Sequence, residues 1–238
     1  MNEITEFLID LLKKASRIIK NKPEVHLKGN KGDLVTTFDY EIEKFITKNL
    51  NKCFPNFDIY SEEFNSESEV GKNYFTIDPI DGTVNFANNI PLWGIQVACV
   101  KNNKVCSAVI YQPATKELAY ADADGAFLNG KKLKIELNDC NKKLIALITS
   151  HKKNLLLKDV HYRHFGCACA TYVLFVKNCF GGVILKCNDN INKNWDHTPG
   201  IYIALKAGAK IVQNGNLYAL AQTKKKAEEI LNGSLVTQ

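Results

Sequence analysis

Tyr74-Phe75-Thr76-Ile77-Asp78-Pro79-Ile80-Asp81-Gly82-Thr83-Val84-Asn85-Phe86 begins as an apolar run suited to a buried strand and then turns abruptly polar. Two carboxylates three residues apart bracket a proline, and a Gly-Thr pair follows at once. Hard divalent cations take oxygen ligands, so Asp78, Asp81 and the carbonyl of Ile80 can share one cluster. Pro79 fixes its own φ and stiffens the turn between the acids. Gly82 has no Cβ, which lets the backbone come close to a ligand. If a helix starts directly after it, the Gly82 and Thr83 amides point at an anion. A strand, an acid pair and an amide-lined turn together are what a metal-dependent phosphate site needs.

Upstream of this stretch, Ile4, Phe7, Leu8, Leu11, Leu12, Ala15, Ile18 and Ile19 recur at helical spacing and predict an amphipathic helix ended by Lys20 to Pro23. A polar, glycine-containing loop follows from His26 to Asp33. A second helix is expected from Asp39 to Leu50, and Phe57-Asp58-Ile59-Tyr60 reads as a short strand. That strand runs into Ser61-Glu62-Glu63, a second acidic point.

Downstream the pattern is strand-rich. Ile95 to Val100, Val105 to Tyr111 and Leu118 to Ala121 are separated by turn signals, and Asn129-Gly130 predicts a hairpin joining Ala126-Phe127-Leu128 to Leu133-Lys134-Ile135. Strands and helices then alternate: a strand at Leu144 to Thr149, a helix near Ala168 to Val176, and a strand at Gly182 to Lys186. A helix from Thr198 to Lys206 with Gly208 as cap, a strand at Lys210 to Val212 and a helix at Lys224 to Leu231 complete the chain. The expected organisation is an α+β half over 1–136 and an α/β half over 137–238, forming one compact unit of layered sheets and helices.

Composition bounds the function classes. The chain has 238 residues, 45% hydrophobic and 24% charged, within the range of ordinary globular proteins. The net charge of +6 is scattered, and Lys224-Lys225-Lys226 reads as a solvated helix face rather than a nucleic-acid patch. The eight cysteines lack the spacing of a zinc site, and Cys167-Ala168-Cys169 is too close for one. Cys99, Cys106 and Cys179 sit in apolar runs and read as buried free thiols. Acidic residues interrupt the first apolar segment, and no stretch reaches the roughly 20 apolar residues of a membrane span. A cytoplasmic location is expected.

Metal-assisted hydrolysis of a phosphate ester needs ligands that gather cations, a water and a group to orient it. Asp78 and Asp81 supply the centre, and Glu62 is a natural third carboxylate. Asp196, in Asn194-Trp195-Asp196-His197-Thr198-Pro199-Gly200, is either a fourth or a helix N-cap. His197, beside Asp196, is expected in a capping or surface role, with a place near the site as the alternative, and Tyr172, Phe175 and Phe180 read as core.

Four segments in order, Asp33 to Asp39, Ser61-Glu62-Glu63, Asp78 to Phe86 and Trp195 to Gly200, resemble the motifs of the inositol monophosphatase family, the magnesium-dependent, lithium-sensitive phosphatases. The resemblance covers about Lys28 to Ile211. It implies the layered αβαβα sandwich shared with fructose-1,6-bisphosphatase. It implies two or three Mg²⁺ ions on Glu62, Asp78, the Ile80 carbonyl, Asp81 and Asp196. The resemblance further implies that Asp81 and the Gly82 and Thr83 amides hold the substrate phosphate. It implies that Thr83 works with Asp39 on the attacking water, which Glu62 reaches through the metal, and that attack is in line with no phosphoenzyme. Lys28 matches a lysine on a mobile loop beside the site.

The residues that choose the substrate depart from the pattern. Gly166-Cys167-Ala168 stands where the family commonly has Gly-Ser/Thr-Ala, and Asp189 stands where a glutamate often lies seven residues before the Trp-Asp aspartate. The segment between Thr149 and His164 is short, which suggests a trimmed helix at the substrate mouth. Inositol monophosphate is the family default. The alternatives are a 3'(2'),5'-bisphosphate nucleotidase, a fructose-1,6-bisphosphatase or NADP phosphatase, or a regulatory protein of the same fold acting on the transcription machinery. A homodimer is the family expectation.

Overall fold

The computed structural model describes residues 1–28, 33–64, 69–136, 143–148, 160–187 and 194–233. Helix α1 (Glu3–Ser16) starts at Asn2, whose side chain accepts the Thr5 N–H, and turns Leu8, Leu11, Leu12 and Ala15 inward. It ends earlier than its periodicity suggests. Arg17, Ile18 and Ile19 donate to carbonyls only three residues back, so the last turn tightens and Ile18 and Ile19 lie beyond the helix. The expected loop from His26 to Asp33 is partly strand instead: His26, Leu27 and Lys28 lie in β1 (Val25–Lys28) and Asp33 opens β2 (Asp33–Thr36), and the two strands pair antiparallel. Helix α2 (Thr37–Cys53) follows directly, longer at both ends than expected.

A seven-stranded sheet comes next in the chain. Its strands are β3 (Asp58–Ser61), β4 (Tyr74–Asp81), β5 (Gly94–Lys101), β6 (Lys104–Gln112), β7 (Glu117–Asp122), β8 (Gly125–Leu128) and β9 (Lys131–Lys132), in that spatial order. All neighbours are antiparallel except β3 and β4. The short helix α3 (Thr83–Ala87) separates β4 from β5. Asn102 and Asn103 both adopt positive φ, as do Asn129 and Gly130, which matches the right-handed twist of two-residue hairpins. The second hairpin closes onto Lys131–Lys132, not onto Leu133-Lys134-Ile135 as expected, because a two-residue loop pairs Leu128 with Lys131 directly.

A five-stranded sheet follows, built from β10 (Leu144–Ile148), β11 (His161–His164), β12 (Gly182–Lys186), β13 (Lys210–Asn214) and β14 (Leu217–Ala221), in the order β11-β10-β12-β14-β13. Strands β11 and β14 were not evident in the sequence. Helices α4 (Ala168–Val176) and α5 (Thr198–Lys206) lie between the two sheets, and α6 (Lys224–Gly233) covers the outer face of the second. Ala207, one residue before Gly208, is the cap of α5. The layers are therefore helix, sheet, helix, sheet, helix, as expected.

Side-chain alternation sorts the faces of the large sheet. Phe75, Ile77, Val97, Cys99 and Val109 pack with Leu8, Leu12, Ile42 and Ile46 of the outer helices. Ala98, Ala108, Ala119 and Ala121 face inward with Tyr172, Ile203 and Ala204. Small residues on the inner face let α5 come close to the strands. Gly200 serves the same end between helices, since a Cβ there would lie 2.0 Å from the Tyr172 ring. Of the three cysteines expected to be buried, Cys99 is, Cys106 is half-buried and Cys179 is exposed, because it lies beyond the end of α4.

Candidate active site

In a regular strand Asp78 and Asp81, three residues apart, would face opposite sides of the sheet. The ladder shows otherwise. Asp78 opposes Gln96 and Asp81 opposes Gly94, so β4 fits three steps against two on β5. The extra residue is a bulge, which re-aims a side chain at a sheet edge or site. Pro79 lies within this irregular stretch, the kind of place in a sheet where a residue without an N–H is tolerated. Both carboxylates thereby turn toward the inner helices. Gln96, fully buried, donates from Nε2 to Asp78 Oδ2 at 3.2 Å, to Asp81 Oδ2 at 3.3 Å and to the Asp196 carbonyl at 3.4 Å.

Asp196 arrives from the second half of the chain. The Trp195 ring packs 5.0 Å from that of Tyr60 on β3, which sets the turn before α5 against the acidic end of that strand. Asp196 is not the N-cap. The N-cap position of α5 falls to His197, as its capping role predicted, though its side chain makes no capping bond. Ahead of it the Asn194 side chain accepts the His197 N–H at 3.0 Å and the Asn194 carbonyl the Thr198 N–H at 2.9 Å. The Asp196 carboxylate is left to the site, near Asp78. His197 is buried rather than on the surface, with Nδ1 3.2 Å from the Tyr172 hydroxyl, and burial pushes its pKa down to about 4.

Glu62 follows β3 directly, its N–H on the Ile77 carbonyl at 3.2 Å. The turn it occupies is held from below by Glu43 of α2, a fully buried carboxylate that sequence reasoning passed over. Glu43 accepts the Ser61 hydroxyl at 2.5 Å and the Glu63 and Phe64 amides at 2.9 and 2.8 Å. Lys28, from β1, pairs with Glu62 at 3.3 Å and Glu63 at 2.8 Å.

Burial raises Glu62, Asp78, Asp81, Asp196 and Asp39. Glu62 is pushed up to about 8, with Asp196 adding repulsion, and Asp196 up to about 7, with Asp81 adding repulsion. Asp78 lies well above the carboxylate range and Asp81 is also raised, each by burial first. Asp39 is pushed up to about 6 despite the bonds it accepts from the Thr36 backbone and hydroxyl. Asp78 Oδ1 is buried and has no hydrogen-bond partner.

Gly82 sits at φ +88° and precedes α3. A Cβ there would meet Cys167 and the Leu92 carbonyl at 3.0 Å, so only glycine fits between β4 and the start of α4. Thr83 Oγ1 donates to the Ile80 carbonyl at 3.0 Å and stands 3.4 Å from Asp39 Oδ1. Asn85 donates to the Phe165 carbonyl at 2.8 Å, tying this turn to Gly166 and Cys167. The Cys167 thiol caps α4, accepting the Ala170 N–H at 3.4 Å, while Ala168 and Cys169 donate their amides to Asp81. Asp81, Cys167 and Cys169 form a group whose donor atoms lie within 4.8 Å of one another. A cavity of about 340 Å³ opens here, lined by Asp81, Asp196, Gly166, Cys167, His164 and Lys186 among others. Asp189 lies outside the described residues, as does most of the segment from Thr149 to His164.

Comparison with protein families matches residues 1–228 to the inositol monophosphatase family. The chain belongs to the inositol monophosphatase family. A curated relative from Thermotoga maritima, named fructose-1,6-bisphosphatase/inositol-1-monophosphatase, is 35% identical over 138 residues, which cover 56% of this chain and 53% of the relative. The chain thus spans about half the length of that relative. A solved structure of a Thermotoga maritima IMPase superposes with a TM-score of 0.83 at 24% identity, covering 98% of both chains. A structure described as an IMPase/NADP phosphatase complexed with Mg²⁺ and phosphate superposes at 0.81 with 21% identity, covering 97% of this chain and 95% of that one. These likenesses carry the fold, the α+β layered sandwich of the family. Among the described residues no helix is long and apolar enough to cross a membrane.

Proposed function

We propose that the protein is a Mg²⁺-dependent phosphomonoesterase acting on a small phosphorylated alcohol, with inositol monophosphate as the family default. The observation that carries this reading is the bulge in β4, which turns Asp78 and Asp81 to one side beside Asp196 and leaves a buried Asp78 oxygen without a partner. Several carboxylates raised by burial in one pocket need positive charge to ionise together. Their donor atoms are oxygens, which suit a hard cation. The related IMPase/NADP phosphatase with Mg²⁺ and phosphate supports the same ion here.

Glu62, Asp78, the Ile80 carbonyl, Asp81 and Asp196 would hold two or three ions. Bound there, Mg²⁺ supplies charge for both the attacking and the leaving oxygen of an in-line displacement. The chain's own groups supply position. Gly82 and Thr83 offer amides to the phosphate, and Thr83 Oγ1 with Asp39 orients the water and takes its proton. Asp39 suits that role, because a base with a pKa near the working pH is the most effective. Lys28 restrains Glu62 from the solvent side. The two halves, 1–136 and 137–238, act as one catalytic unit. A homodimer and a cytoplasmic location go with this reading.

The test is a panel of phosphomonoesters with Mg²⁺, with and without lithium: inositol phosphates, sugar bisphosphates, adenosine 3',5'-bisphosphate and NADP. Asp81→Asn should abolish Mg²⁺-dependent phosphate release while leaving the fold, and any scaffold role, intact. A wild-type protein that releases phosphate from none of the panel sinks the proposal and favours a regulatory protein of the same fold.

A further inference from the structure

Strands β10, β11 and β12 run parallel, and their registers align Leu147 with His164 and Ile148 with Leu185. Their carboxyl ends, Ile148, His164 and Lys186, therefore open at one edge of the second sheet. In open α/β sheets ligands collect outside that edge. All three residues line the 340 Å³ cavity, and Asp81 and Asp196 line it too. That volume lies within the roughly 300–1,000 Å³ of small-ligand sites. The position of Lys186 is fixed from behind, since the His197 ring donates to its backbone carbonyl. Among the described residues no carboxylate forms an ion pair with Lys186, which is half-buried.

An ammonium held partly out of water at a pocket edge gains most from an anionic partner. A neutral polyol offers none. We propose that Lys186 selects substrates whose alcohol carries a second anionic group, a phosphate or a carboxylate, remote from the phosphate that is cleaved. The proposal rests on the phosphatase reading above. The scissile phosphate lies by the acids and the Gly82-Thr83 turn, and the second anion lies at the strand ends by Lys186 and His164. The sequence alone located selectivity at Gly166 and Asp189. Gly166 lines the same cavity, and the charge that discriminates belongs to β12.

Matched pairs of substrates test this: fructose 1,6-bisphosphate against fructose 1-phosphate, adenosine 3',5'-bisphosphate against adenosine 3'-phosphate, and 3-phosphoglycerate against glycerol 3-phosphate. Wild type should favour the member that carries the second anionic group in at least one pair by about tenfold or more in kcat/KM, the effect of one well-placed interaction. The first two pairs report a phosphate and the third a carboxylate. Lys186→Met should remove that preference while changing the other member by less than about twofold, and Lys186→Arg should restore most of it. Equal rates within every pair, or an equal loss on both members in Lys186→Met, would overturn the proposal and leave the phosphatase reading standing. A protein active on no phosphomonoester overturns both.

Discussion

Gln96 Nε2 lies 3.2 Å from Asp78 Oδ2 across the β4–β5 ladder, with both side chains almost fully buried. The same amide reaches Asp81 and the backbone of Asp196, so one neutral donor links acids from the two halves of the chain. Partners of this kind typically contribute about 10–100-fold to metal affinity. Gln96→Met keeps the length and loses the donor. Calorimetric titration should show Mg²⁺ binding weakened by roughly tenfold or more. Unchanged affinity would mean that the amide merely fills space.

Glu43 makes a comparable contribution under the acidic turn. Glu43→Ala strips the Ser61 hydroxyl and two amides of their acceptor, and a buried donor left unsatisfied costs about 1–3 kcal/mol. We expect a clear fall in the denaturant midpoint, together with weaker Mg²⁺ binding because Glu62 loses its support. Glu43→Gln, which retains one acceptor, should lie between the two.

The metal-free protein should lose stability as pH rises above 6.5. Asp196 and Glu62 titrate at about 7 and about 8 in the fold, above the values of 3.8 and 4.5 for the free side chains. Between those limits the folded chain holds protons that the unfolded chain has released, so stability falls with rising pH. His197, pushed down to about 4, acts in the opposite sense but only below its unfolded value of 6.5. In chelator, the melting temperature should therefore drop between pH 6.5 and about 8.5, by roughly 2–4 °C for each kcal/mol lost. Added Mg²⁺ should recover it at the higher pH. A flat or rising profile in chelator would contradict the burial of these acids.

Gly200 stands where the Tyr172 ring crosses α5, and a Cβ would lie 2.0 Å from that ring. Gly200→Ala must displace a fully buried aromatic whose hydroxyl meets His197. Overpacking of this kind costs about 1–3 kcal/mol or more. The expected outcome is a lower melting temperature and weaker Mg²⁺ binding, since His197 adjoins Asp196. Wild-type behaviour in both would mean that α5 shifts at no cost.

Local pattern was enough to find α4, β12 and α5 and the strands of the meander, because apolar periodicity and turn residues act over a few positions. It did not reveal β11, whose His161-Tyr162-Arg163-His164 has no apolar alternation and pairs only because β10 lies beside it. Nor did it reveal Gln96 or Glu43. Each is a single polar residue inside an apolar segment, and the only signal was that a buried polar group must have partners.

By itself the sequence determined which acids exist, their order along the chain, and that a proline and a glycine flank the central pair. Those are properties of neighbouring residues and of backbone freedom. Only the tertiary structure decided that Asp78 and Asp81 share a face, because that depends on how β4 registers against β5. It also decided that Asp196 is no helix cap, because α5 starts one residue later with His197 at the N-cap and Trp195 docks on Tyr60. The third such decision was the placing of Lys186 in the same cavity as Asp81. Side chains more than a hundred residues apart meet only when two sheets close on one layer of helices, and no local spacing encodes that meeting.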